Sequence, residues 1–155
     1  MKDVAYFEVA WYGPFDDAKH ADLADANLVL YMITGTHGLY GKNVPLYIGK
    51  TLQSVPTRIG QHEWIEWEPD PVKIYAAAIS PPFTSWSEVA HMNSYPPLAD
   101  AVISEVESLL IYAHQPVYNS RSKGGQQAVP RELHLFNTGR RSSLYPEVSS
   151  FYWYR

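Results

Sequence analysis

The chain contains no cysteine. Disulfides and thiolate metal sites are therefore excluded, and any bound metal must rest on oxygen or imidazole. No apolar run approaches the roughly 20 residues that a membrane-spanning helix needs. The opening segment Met1-Lys2-Asp3-Val4 lacks the apolar centre of a signal peptide, so a cytoplasmic location is expected. Charge is scarce, at 18% of residues against about 25% in ordinary domains. The net charge of −4 argues against a protein whose whole surface grips nucleic acid.

What is present is enough apolar sequence, 46% of 155 residues, to bury a real core in one domain spanning 1–155. Charge is unevenly spread. Residues 1–30 hold six acids against two bases, residues 31–119 eight against four, and residues 120–155 six bases against two acids. A basic tail on an acidic body is either a phosphate-tracking segment or a solvated surface.

Val4 to Tyr12 is aromatic and β-branched and reads as a strand closed by Gly13-Pro14. Asp16 to Asn27 reads as a short helix or a loop. Leu28 to Ile33 is a continuous apolar run of strand length, and Val44 to Ile48 is its hairpin partner, with Thr34 to Asn43 as a long connecting loop. Ser54 followed by Pro56 starts a helix expected over 55–66. Val72 to Ser80 is a further strand, and residues 83–96 are loop-like with a short turn at Ser85–Met92. Pro97 to His114 is the strongest helix, its Leu98, Val102, Val106, Leu109 and Ala113 forming one apolar stripe. Residues 120–127 read as a polar linker, Leu133 to Phe136 as a short strand and Phe151 to Tyr154 as an aromatic end.

One set of residues carries chemistry. Tyr47, Gly49 and Lys50 close a strand, Arg58 and His62 follow four apart, and Glu107 stands on the later helix among apolar neighbours. A phenol lies three residues from a lysine that lowers the energy of its anion, which makes Tyr47 an acceptor for the proton of an attacking water. Arg58 is a permanent cation able to clamp a phosphate through paired contacts. His62 either serves as base or orients a tyrosine or the water. A carboxylate on an apolar stripe costs several kcal/mol unless it is paired, so Glu107 either holds a divalent cation or bridges to Lys50 or Arg58. His114 reads as a cation at a helix C-terminus, and Trp64 and Trp67 as packing residues able to stack on bases.

These residues resemble the GIY-YIG nuclease family. Tyr47-Ile48-Gly49 stands as the second half of its signature, Lys50, Arg58 and His62 follow in the family's order, and Glu107 through Pro116-Val-Tyr-Asn119 is similar to its glutamate helix and closing turn. The first half departs from the pattern. Tyr31, within Val29-Leu30-Tyr31, lacks the glycine and lies sixteen residues before Tyr47, whereas Gly38-Leu39-Tyr40 matches the letters better but falls in the loop. Tyr31 is preferred because an apolar strand surrounds it.

The resemblance implies an α/β (α+β) fold with a small, mainly antiparallel central sheet flanked by helices. Its core would cover about 28–119, with an N-terminal extension over 1–27 and a basic C-terminal extension over 120–155. It implies a metal-dependent endonuclease acting on DNA. Tyr31, Tyr47, Lys50, Arg58, His62 and Glu107 would be catalytic, and Glu107 would bind Mg²⁺ or Mn²⁺. Gly49 and Asn119 would support the site, and Lys50, Arg58, Arg121 and Lys123 would contact nucleic acid. A homodimer or a partner subunit is the expected assembly. The alternatives are an inactive nucleic-acid-binding module and a subunit of a larger nuclease assembly.

Overall fold

The structure, a computed structural model, describes residues 4–21, 27–80, 98–124 and 132–153. It is an α+β fold built on one mixed sheet. The strands are β1 (Val4–Phe15), β2 (Leu28–His37), β3 (Gly41–Lys50), β4 (Lys73–Ile79), β5 (Glu132–Gly139) and β6 (Glu147–Ser149). They lie side by side in the order β3-β2-β4-β1-β5-β6. Every neighbouring pair is antiparallel except β1 with β5, which is parallel. The helices are α1 (Val55–Ile59), α2 (Asp100–His114) and α3 (Ser150–Trp153), with 3₁₀ turns at Ala18–Ala21 and Glu63–Trp67. No helix of the described residues is long and apolar enough to cross a membrane.

Strand alternation sends side chains to two cores. Phe7, Val9 and Trp11 of β1, Leu30 and Met32 of β2, Ile48 of β3 and Leu133 and Leu135 of β5 pack against Ile103, Val106, Leu109 and Leu110 of α2. On the opposite face Tyr31, Ile33, Ile74 and Ala76 pack under Val55 and Ile59 of α1.

The ends of the chain are not appendages to a core at 28–119. β1 sits inside the sheet between β4 and β5, and β5 and β6 complete that sheet. Trp11 Nε1 donates 3.0 Å to Asn137 Oδ1, the Asn137 side-chain amide donates 2.9 Å to the Tyr145 carbonyl, and Leu133 N–H donates 2.8 Å to Ser150 Oγ. The aromatic end, read without an element, contributes Phe151 to Trp153 to α3, and Tyr154 lies outside the described residues.

Two local expectations also change. The loop expected over 34–43 is mostly strand, because Thr34, Gly35 and His37 pair with Pro45, Val44 and Gly41 through two register shifts. Only residues 38–40 turn the hairpin. The helix expected over 55–66 stops at Ile59, where Gly60, a poor helix former, supplies the cap and a 3₁₀ turn follows. Its start is as expected: Ser54 Oγ accepts from Thr57 N–H and proline follows in the first turn. The turn expected at Ser85–Met92 lies outside the described residues, as does the linker beyond residue 124.

His114 is not the helix-end cation expected of it. Its Nδ1 lies 2.8 Å from the Leu110 carbonyl and its Nε2 accepts the Tyr145 N–H at 2.9 Å. An Nε2 that accepts is unprotonated, so Nδ1 donates and the ring is neutral. Burial lowers its pKa below the ordinary 6.5, and the Leu110 bond opposes this. The ring thereby ties α2 to the β5–β6 connection.

Two outcomes are expected. A chain ending at residue 124 loses Leu133, Leu135, Leu144 and Val148 from the core, about 6–12 kcal/mol of burial. That is comparable to the whole stability of a domain, and far-ultraviolet circular dichroism of the truncated chain should show no cooperative unfolding. For His114, the folded pKa is below that of the unfolded chain, so the unfolded chain takes the proton first. Its contribution is whole above 6.5 and is lost as pH falls through the folded value. His62 acts in the same sense and Glu107, whose pKa is raised, in the opposite sense. Urea unfolding of His114→Gln across pH 5–8 should show a weaker acid-side loss of stability than wild type.

Candidate active site

The site is built on the outer edge of β3, the last strand of the sheet. At the end of β3, Tyr47 lies opposite Ile33 and Gly49 opposite Tyr31, and both turn their backbone groups to β2. Ile48 and Lys50 turn theirs outward, as do Leu46 and, beyond the register shift next to Tyr47, Pro45 through their carbonyls, where unpaired backbone groups would be costly. Each finds a partner. The Pro45 carbonyl accepts from Val117 N–H at 3.2 Å, and the Leu46 carbonyl from Tyr118 N–H at 2.8 Å. Ile48 is held at both groups by the Asn119 side chain, N–H to Oδ1 at 2.9 Å and Nδ2 to carbonyl at 2.8 Å. Lys50 N–H donates 2.9 Å to Glu107 Oε1.

That edge forms one wall of an open cleft of about 1100 Å³. Tyr47, Lys50, Arg58, Glu107, Tyr118, Asn119 and Arg121 all border it. Lys123, expected to contact nucleic acid, is not among the residues that line it; its ammonium donates 3.3 Å to the Val117 carbonyl. Of the other C-terminal bases that the described residues include, Arg140 is exposed beyond β5 and Arg141 donates to the Leu144 carbonyl. Among the described residues the bases of the C-terminal segment are thus dispersed, and Arg121 alone of them lines the cleft.

The two tyrosines have different surroundings. Tyr31 is completely buried, with its hydroxyl 2.7 Å from His62 Nε2 and its ring stacked 6.0 Å from that of Tyr47. Burial above all, then the neighbouring Tyr47, raises the Tyr31 pKa well above the ordinary phenol range, so this hydroxyl stays protonated. Tyr47 reaches the cleft, and the His62 ring lies 4.6 Å from its own. Tyr40, the other candidate for the first motif tyrosine, is 65% exposed at the hairpin turn and stacks on His37.

Gly49 is not in a turn, since β3 continues through it to Lys50. Its role is space. A Cβ here would lie 2.5 Å from Tyr31 Oη and 2.6 Å from Cζ.

The cations are also unequal. The Lys50 ammonium is bound by α2, to Asp100 Oδ1 at 2.7 Å and Ser104 Oγ at 2.6 Å. Arg58 donates 2.6 Å to Gln61 Oε1 and has no carboxylate partner among the described residues. Although helix α1 ends between them, Arg58 still influences His62. Burial first, then the Arg58 charge, lowers the His62 pKa and favours the neutral ring.

Glu107 makes no ion pair with Lys50 or Arg58; it accepts the Lys50 main-chain N–H. Burial raises its pKa, opposed by that hydrogen bond and then by the Lys50 and Arg58 charges. Among the described residues no three His, Asp or Glu side chains cluster as a metal site. A cation here would have Glu107 as its protein ligand, with water and substrate oxygens completing the shell. That suits Mg²⁺, which commonly keeps several waters and one or two carboxylates.

Asp100, Ser104 and Tyr118 were not anticipated. For the first two a signal existed: Asp100, Ser104 and Glu107 recur at helical spacing and form one polar face of α2. No family model, curated protein or solved structure matches this chain.

Because Tyr31 is enclosed and cannot move aside, Gly49→Ala should cost about 1–3 kcal/mol. Urea unfolding midpoints measure it; a midpoint equal to wild type would show that Tyr31 yields freely.

Proposed function

We propose that the protein is a metal-dependent endonuclease with a GIY-YIG-like site, hydrolysing phosphodiester bonds in DNA. The observation that supports this reading most is the convergence on one cleft of Tyr47, Arg58 and Glu107, residues from β3, α1 and α2 that lie far apart in sequence. In-line hydrolysis requires a proton acceptor for water, a cation for the phosphate and a stabiliser for the leaving oxygen.

In this reading the water's proton passes to the Tyr47–His62 pair, whose neutral imidazole is able to hold it. Tyr31 acts behind them as a positioning residue, sharing its hydroxyl with His62 Nε2. Arg58, free of any carboxylate partner among the described residues, clamps a non-bridging phosphate oxygen. Glu107 would hold Mg²⁺ or Mn²⁺, which would supply charge stabilisation to the phosphate. Lys50 positions rather than reacts: its N–H fixes Glu107 and its ammonium fixes the start of α2. Asn119 keeps the post-helix turn against β3, and Arg121 adds a second phosphate contact at the cleft.

The test is nicking of supercoiled plasmid with Mg²⁺ or Mn²⁺ by wild type and Glu107→Gln. The amide oxygen can still accept from Lys50 N–H, so the fold should survive. The rate should fall about 10²–10³-fold, the scale for removing one stabiliser of transition-state charge. Equal rates for the two proteins would end the nuclease reading.

A further inference from the structure

The wall of the cleft next to Asn119 carries an aromatic surface that the hydrolytic chemistry leaves unused. Tyr118 is 42% exposed and borders the cleft. Trp64 meets it at 4.9 Å between ring centroids and 68° between planes, an edge-to-face arrangement. Whichever ring presents its edge, Trp64 leaves one face of Tyr118 uncovered. The ring is also held in place. Tyr118 N–H is bonded to Leu46 of β3, and its hydroxyl is hydrogen-bonded to Glu68, the first cause of its raised pKa. Trp64 in turn lies 5.9 Å from His62 and 6.4 Å from Tyr47, so the aromatic wall runs unbroken to the reacting groups.

Charge decides what this wall can receive. Glu63, Glu66, Glu68 and Asp70 fall within the segment that carries Trp64, and Glu68 touches Tyr118 itself. A phosphate would be repelled there, whereas Arg58 and Arg121 attract phosphate elsewhere on the cleft. The group suited to Tyr118 is flat, polarisable and uncharged. On a nucleic acid that group is a base, and its face is accessible only where it is not stacked within a paired duplex.

We propose that Tyr118 is a base-stacking residue and that the cleft takes nucleic acid with an unpaired or extruded nucleotide beside the scissile phosphate. This rests on the nuclease reading and adds the substrate class to it. The ring is already ordered by Trp64 and Glu68, so stacking would lose little conformational freedom.

The experiment measures fluorescence-anisotropy binding to three labelled DNAs in a Glu107→Gln background, which suppresses cutting. The DNAs are a fully paired duplex, the same duplex with one bulged nucleotide, and that duplex with the bulged position abasic. The parent should bind the bulged duplex most tightly. Tyr118→Leu should lose about 5- to 100-fold in affinity for it, the range for one stacked base, while binding the abasic and paired duplexes like the parent. That unchanged pair shows the cleft is intact. Tyr118→Phe, which keeps the ring and loses the Glu68 bond, should stay within about 3-fold of the parent.

If Tyr118→Leu and the parent bind all three DNAs alike, the stacking role is wrong while nucleic-acid binding stands. If Tyr118→Phe falls as far as Tyr118→Leu, the hydroxyl and not the ring carries the effect, and the stacking role is again wrong. If the parent binds none of the three, the nuclease reading fails with it.

Discussion

A sheet must end somewhere, and its last strand carries backbone groups with no strand to receive them. Here that strand is β3, and the solution defines the site. Asn119 replaces a neighbouring strand at Ile48, and Glu107 replaces one at Lys50. The carboxylate and the amide are therefore fixed by the same bonds that finish the sheet. Any displacement of α2 or of the turn after it would leave Ile48 and Lys50 unsatisfied, and this penalty holds the groups in place without a dense shell of side chains.

The second dependence runs through the sheet. Tyr31 faces Gly49 across β2 and β3, and the absence of a side chain at Gly49 gives the phenol its space. Through Tyr31 the buried face of the sheet reaches His62, and through His62 it reaches Tyr47 at the cleft. Glu107 comes from the helix-covered face and Tyr47 from the face under α1. They meet because both faces end at the same edge.

Much of this was legible in the chain. The apolar run Leu28 to Ile33 and the stripe on Pro97 to His114 set two elements by periodicity alone, and the structure has both, with α2 starting at Asp100. The apolar strand expected around Tyr31 is β2, which brings its ring to that of Tyr47, whereas Tyr40, the better letter match, lies out on the hairpin turn. Sequence reasoning failed where partners are distant. Nothing near Lys50 shows that Asp100 competes for its ammonium, and nothing near Val4 to Tyr12 shows that its neighbour is Leu133 to Phe136. Periodicity also overran at 55–66, where Gly60 outweighed a helical pattern.

The parallel pairing of β1 with β5 has a consequence for the order of assembly. Val4 opposes Glu132, and β1's other neighbour, β4, is first reached at Ile74 opposite Phe15. Closing such long loops is entropically slow, whereas the β2–β3 hairpin closes over a three-residue turn. The hairpin with Tyr31, Gly49 and Tyr47 can form early from local contacts. The seat of α2 draws on the whole chain, from Phe7 through Met32 and Ile48 to Leu135. The Glu107 carboxylate joins Lys50 across 57 residues, whereas the tyrosines share one hairpin, so closure costs more entropy for the carboxylate than for the tyrosines.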